Sequence, residues 1–423
     1  MDHVLGLKCV LCGDEYGVDE VLYVCPKHGD EGILDILYDY DLIAARLTKE
    51  RLARNRDCSI WRYAPLLPIA DGSPRPPLQI GWTPLYHPQR LGEKLGLHDL
   101  YLKDDGRNPT ASFKDRASAV GVVKAQELGY EVITCASTGN AASSLAGLAA
   151  SVGLKSIIFV PERAPQAKVA QLLVFGARVI MVKGSYDQAF DLCLEAAREY
   201  GWYSRNTAYN PYLSEGKKTA ALELCEQLEW QAPGKIFVSV GDGCIIGGLW
   251  KGLRDLRALG FIERLPQLIG VQAEGAAPLV RAWEEGGEEI MPLIPNTLAD
   301  SISVGRPRDG IKALRAVRET GGRYVAVSDD EILEAMRLLG REAAIFAEPA
   351  GAAGFAGLHK MVRQGEIGPD ERIVVLVTGS GLKDVESAIR AVGQPDLIEP
   401  TMAALRRLAN EQSGGLGGGE PPG

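Results

Sequence analysis

Lys114 lies in the segment Arg107-Asn108-Pro109-Thr110-Ala111-Ser112-Phe113-Lys114-Asp115-Arg116, which follows a strand-like stretch (Leu100–Lys103) and opens a helical one reaching about Gly129. A lysine at a helix start meets the positive end of the helix dipole, which disfavours its ammonium form. Burial would push the same way, and an amine neutral at working pH can condense with an aldehyde. Taken alone, the residue reads as an ordinary solvated first-turn lysine; three further segments change that reading. Ser137-Thr138-Gly139-Asn140-Ala141 joins a strand to a helix, so its amides and hydroxyls can cradle a carboxylate. Asn140 adds a donor for a phenolate oxygen, although the segment is also a plain N-cap loop. Gly241-Asp242-Gly243-Cys244-Ile245 follows another strand, and its close glycines let N–H groups approach phosphate oxygens. It has neither the lysine of a P-loop nor the spacing of a dinucleotide fingerprint, so a small phosphate suits it better than a nucleotide. Thr378-Gly379-Ser380-Gly381-Leu382-Lys383-Asp384 ends a further apolar strand. Thr378 can set a neutral hydroxyl beside a ring nitrogen and leave it largely unprotonated, which suits elimination and replacement more than transamination. By itself that segment is a structural turn.

A separate cluster opens the chain. Cys9-Val10-Leu11-Cys12 and Cys25-Pro26-Lys27-His28 repeat the two-residue spacing of a metal knuckle, and three thiolates with one imidazole suit tetrahedral zinc. Such a site is closed and structural; the competing reading is a hairpin with merely buried cysteines. His3, His28, His87, His98 and His359 all lie outside the four segments above, so no histidine is given a catalytic role.

The elements that must position these residues follow a βαβ rhythm from Leu100 onward. Expected strands are Glu131–Ala136, Ser156–Val160, Arg178–Val182 and Trp202–Arg205, alternating with helices over Ala141–Ser151, Gln166–Phe175 and Tyr186–Tyr200. A second set covers Lys235–Val240, Gln267–Gln272, Tyr324–Val327 and Arg372–Val377. The fold class is therefore α/β, with two open, mostly parallel sheets that bind ligands beyond their C-terminal strand ends. Residues 1–40 form a zinc-ribbon-like unit. Residues 41–80 are a helical stretch and a proline-rich linker, with Tyr63 to Pro84 expected to run over the surface. A large α/β domain takes 81–117 and 216–400, a small mobile one 118–215, and 401–423 is a helix remnant with a disordered tail from Ser413.

In 423 residues, 55 acidic against 46 basic side chains give a net charge of -9. That sign disfavours nucleic acid and anionic membranes, so an anionic ligand must be held by local devices. No apolar run is long enough to span a bilayer, and Met1 to Gly6 lacks the pattern of a signal peptide, so a cytoplasmic protein is expected. The remaining cysteines (Cys58, Cys135, Cys193, Cys225, Cys244) are too scattered for a disulfide framework.

Taken together and in this order, the four segments resemble the fold-type II pyridoxal-phosphate (PLP) enzymes, most closely the threonine synthase family. The lysine segment departs from that family's usual form at Ala111, where glycine is common, and the last segment at Ser380, where histidine is common. Gly81-Trp82-Thr83-Pro84-Leu85 and Glu348-Pro349-Ala350-Gly351-Ala352 extend the resemblance, which runs from about Gly81 to Val392. It implies PLP held on Lys114 as an imine, with Lys114 shuttling protons at Cα and Cβ. Phe113 would flank the ring and Asn140 would bond the phenolic oxygen. Gly241, Asp242, Gly243, Cys244 and Ile245 would take the phosphate, and Thr378 would face the ring nitrogen. Ser137, Thr138, Gly139 and Asn140 would bind the substrate carboxylate. It also implies a homodimer acting on a small amino-acid substrate, O-phosphohomoserine, through loss of phosphate and addition of water. Some members carry an arginine where this chain has Leu213. Its absence would weaken phosphate recognition unless another residue, such as Lys217 or Lys218, replaces it; the competing reading has both lysines solvated on the following helix. Alternatives within the enzymes are serine/threonine dehydratase, diaminopropionate ammonia-lyase and cysteate-synthase-like activities; outside them stands an inactive paralogue whose ribbon serves as an interaction module.

Overall fold

The computed structural model describes residues 1–411 apart from Thr138 and Pro165. Thr138 and the tail from Ser413 therefore lie outside the described residues. The chain opens with a three-stranded antiparallel sheet in which β1 (Val4–Cys9) is flanked by β2 (Glu15–Tyr16) and β3 (Leu34–Tyr38). In β3 Leu34, Ile36 and Tyr38 alternate inward, the two-residue period of a half-buried strand. Two short helices follow, Tyr40–Arg46 and Lys49–Arg54. Asp39 and Thr48 cap them by accepting from Leu42 N and Arg51 N.

The stretch expected to run over the surface does so only in part. Ile60–Leu66 forms a 3-10 turn, and Tyr63, Leu66, Leu67, Ile69 and Ile80 are buried. Arg62 is tied to Glu226 at 2.5 Å. Proline and glycine make the path irregular, but the apolar side chains among them enter the core as they would from any element.

Two parallel systems then form. β4 (Leu85–Tyr86) and β5 (Leu100–Asp104) lead into the helix Lys114–Glu127. β6 (Val132–Ala136), β7 (Lys155–Pro161), β8 (Arg178–Val182) and β9 (Tyr203–Ser204) build a parallel sheet in the order β8-β7-β6-β9. Helices Asn140–Ser151, Gln166–Val174 and Tyr186–Tyr200 provide its crossovers. The last starts at a Ser185/Gln188 capping box and stops at Gly201, whose φ of 65° only glycine adopts freely. Helix Tyr212–Gln227 returns the chain to the larger sheet, made of β10 (Lys235–Ser239), β11 (Gln267–Ala273), β12 (Arg323–Val327), β13 (Ile373–Val377) and the earlier pair. Its order is β12-β11-β10-β13-β5-β4, parallel except at the β4 edge. β13 is buried at all five positions, as expected of a central strand covered on both faces.

Candidate active site

One cavity of about 950 Å³ lies between the two sheets. Its wall is built from segments that follow the C-terminal ends of β6, β9, β10 and β13, which carry Ser137 and Gly139, Arg205 and Asn206, Gly241–Ile245, and Thr378. Lys114 opens into it from the first turn of its helix. Its amine is pushed down to about 8 by burial and by the positive charges of Lys217 and Arg205.

The Lys114 helix is held rigidly. Arg116 is fully buried and donates to Asp105 (2.6 and 2.9 Å) and to Glu223 (2.6 and 2.7 Å), and Lys103 joins Glu223 at 3.0 Å. Two cations and two carboxylates thus balance inside the protein, the condition under which buried charge is tolerated. Thr110 donates from backbone and side chain to Asp115, and Phe113 N donates to Thr378 O at 2.9 Å. The lysine loop is thereby tied to the end of β13.

The glycine turn cannot be built from other residues. Gly243 has φ 90°, and a Cβ there would stand 2.7 Å from Asp309 O. Cys244 begins the helix Cys244–Ala258, so the free amides of its first turn point at the cavity. Opposite, Asn140 donates to Glu348 at 2.6 Å. Burial raises the Glu348 carboxyl above its usual range.

Of the expected residues, Lys114, Ser137, Gly139, Asn140, Gly241, Asp242, Gly243, Cys244, Ile245 and Thr378 all line this cavity. Phe113 is absent from that lining: its ring is fully buried, with the Arg116 guanidinium 5.6 Å from its centre, and its backbone N–H ties the lysine loop to Thr378 O. Lys217 and Lys218 depart from the expectation. The solvated reading fails because the helix Tyr212–Gln227 is buried on all faces through Cys225. Lys218 pairs with Glu215 and Asp255, whereas Lys217 faces the cavity. Leu213 is buried and not on the wall. Arg205 and Glu348 were given no role from the sequence, although both sit at strand or loop ends where the topology directs ligands.

Away from the cavity, Cys9, Cys12, Cys25 and His28 bring their ligand atoms within 4.8 Å of one another. Cys12 Sγ and Cys25 Sγ stand 3.9 Å apart, and Cys25 Sγ and His28 Nδ1 3.5 Å. A tetrahedral zinc with Zn–S of about 2.3 Å sets its sulfurs about 3.8 Å apart.

A family model described as pyridoxal-phosphate dependent enzyme matches residues 77–379. A threonine synthase from Methanocaldococcus jannaschii is 44% identical over 406 residues, covering 96% of this chain and 99% of that one. Another from Methanosarcina acetivorans is 42% identical over 405 residues, covering 95% and 97%. Among solved structures, the processed form of threonine deaminase isoform 2 from Solanum lycopersicum has a TM-score of 0.64 at 23% identity, covering 74% and 88%, which is a likeness of fold. Identity of this level, sustained over nearly the whole of both chains, is more than a shared architecture requires, and the chain belongs to the pyridoxal-phosphate dependent enzymes and, within them, to the threonine synthase family.

Proposed function

We propose that this chain converts O-phospho-L-homoserine and water to L-threonine and phosphate as a PLP-dependent threonine synthase. The observation that carries the reading is Lys114, an amine lowered to about 8 that opens into the one cavity where the chemistry-bearing loops meet. It does so in a chain 44% identical over 96% of its length to a protein named for that activity.

The donor set fits PLP. The Gly241–Ile245 turn, at a helix N-terminus and too tight for a side chain at Gly243, suits the phosphate. Thr378 would offer a neutral hydroxyl to the ring nitrogen, and Asn140, its amide oriented by Glu348, would serve the phenolic oxygen. Bound there, PLP supplies an electron sink for carbanions at Cα and Cβ. Lys114 would hold the group through its aldehyde and would move protons at Cα and Cβ of the substrate. Ser137, Thr138, Gly139 and Asn140 hold its carboxylate. The 118–215 unit closes toward the cofactor as that loop is drawn in, and so excludes bulk water. Phosphate leaves from Cγ, and water adds at Cβ.

The reading includes a structural zinc on Cys9, Cys12, Cys25 and His28, supported by their spacing, and a cytoplasmic homodimer. Among the described residues no helix is long and apolar enough to cross a membrane. Turnover in ¹⁸O-water tests the reaction course. The label is expected in the threonine hydroxyl and not in the released phosphate. Label in phosphate, with homoserine as the other product, would mean simple P–O hydrolysis and contradict the proposal.

A further inference from the structure

A small apolar cluster, separate from the main cores, joins the Cys/His unit to the cavity wall. Ile33, Ala208 and Cys244 are buried against one another, and Val10 packs on them. Val10 lies inside the first knuckle, between Cys9 and Cys12, and Ile33 follows Gly32 at the end of the second. Gly32 sits so close to a ligand residue that a Cβ on it would stand 2.6 Å from Cys25 Cβ, and its carbonyl accepts from Cys25 N at 2.8 Å. Val10 N donates to Ile33 O at 2.9 Å. The two knuckles thus present Val10 and Ile33 as one apolar pad.

The pad bears on the cavity from behind. Cys244 lies in the Gly241–Ile245 turn and begins the helix whose free amides point at the cavity; its Sγ accepts from Thr207 Oγ1 at 3.4 Å. Ala208 holds φ 61°, a region that strains an alanine and that packing must enforce. It follows Arg205, Asn206 and Thr207, all of which line the cavity.

Little in the protein itself fixes the pad. Leu7 and Cys9 of β1 and Leu34, Ile36 and Tyr38 of β3 belong to the main core, so the sheet has its own anchorage. The knuckles do not: Cys12 and residues 26–31 are exposed. Asp30 and Glu31 pair with Arg198 and Arg306, but both pairs are exposed and such pairs are weak. A metal held by four ligand atoms that lie within 4.8 Å of one another would close these loops and set the pad.

We infer that the metal at Cys9, Cys12, Cys25 and His28 sets the affinity of the cavity for PLP, by fixing Val10 and Ile33 against Cys244 and Ala208. This rests on the zinc and PLP readings proposed above and gives the metal a role beyond holding the fold. Without it the sheet stays docked, the pad loosens, and the amides at the start of the Cys244 helix lose their fixed aim. Binding at the two sites is then linked, so PLP must tighten zinc by the factor by which zinc tightens PLP.

The test uses full-length protein freed of cofactor, with zinc either at about one per chain or removed by a chelator. Far-UV circular dichroism checks that both forms are folded. PLP affinity, titrated by visible absorbance, should fall about tenfold on zinc removal. Zinc affinity, from competition with a chromogenic chelator after free PLP is removed, should be higher by the same factor in PLP-loaded protein. Val10→Ala combined with Ile33→Ala should keep its zinc and still weaken PLP to a similar degree. PLP affinities within about twofold in the two folded forms would overturn the linkage, as would equal zinc affinity with and without PLP. Should the zinc-free form unfold, the double variant decides at saturating zinc, and PLP binding as tight as the parent's overturns the inference. Protein that takes up PLP but no zinc sinks the metal reading and this inference together. Protein that takes up zinc but no PLP sinks the proposed function, and the inference with it.

Discussion

At the scale of single residues, Lys114 owes its character to its neighbours: burial and two nearby cations lower its amine to about 8. Below that pH the amine is protonated and cannot attack an aldehyde. The rate at which the cofactor-free protein captures PLP should therefore climb as pH rises through about 8 and level off above it, followed by stopped-flow absorbance. A rate flat across that range would remove the depressed amine from the account. Lys114→Ala should lose both turnover and the visible absorbance of bound cofactor; a retained chromophore would assign the attachment to another residue. Ala111 is a departure with a structural consequence. It holds φ 62°, a region that costs an alanine about 1 kcal/mol. Ala111→Gly removes that strain but loosens the unfolded chain by a similar amount, so stability should change by less than about 1 kcal/mol. Ala111→Val should destabilise by more than that, read from denaturant midpoints.

Elements explain why some residues were legible and others not. Lys114, the glycine turn and Thr378 each sit at a strand–helix junction, and the alternation of short β-branched runs with helices marks such junctions in the chain itself. Lys217 could not be read that way. Its helix is buried on every face from Tyr212 to Cys225, so no polar stripe separates a solvated lysine from a wall residue. The buried path of Ile60 to Ile80 was hidden for a related reason: proline and glycine announce irregular backbone but not its depth. Arg205 left a usable signal, since a charged side chain at the C-terminal end of a parallel strand stands where ligands bind. The clamp between the Lys114 helix and the helix Tyr212–Gln227 gives a direct stability prediction. Arg116→Met strands Asp105 and Glu223 as buried, less compensated carboxylates and should cost about 3–5 kcal/mol in urea unfolding. A loss below about 1 kcal/mol would mean that the network is not holding the helix.

Over the whole molecule, the N-terminal unit touches both sheet systems. Asp30 pairs with Arg198 and the Tyr23 hydroxyl accepts from Ser204 N on the smaller side. On the larger side Glu31 pairs with Arg306, Val10 O accepts from Arg315 and Asp35 meets Lys312. Val10 and Ile33 also pack with Ala208 and Cys244, the last of these in the Gly241–Ile245 turn. A metal bound at Cys9, Cys12, Cys25 and His28 would thus brace the cleft from outside. Elemental analysis should find about one zinc per chain, and a strong chelator should lower the melting temperature. Full metal removal without a shift in melting would show the cluster to be ornamental to the fold. The central claim concerns chemistry, and purified PLP-loaded protein tests it most directly by the products it makes from O-phosphohomoserine. Threonine and inorganic phosphate should appear together in equal amounts, at matching rates. No phosphate release, with keto acid formed from serine or threonine instead, would contradict the threonine synthase assignment and leave Lys114 serving a dehydratase.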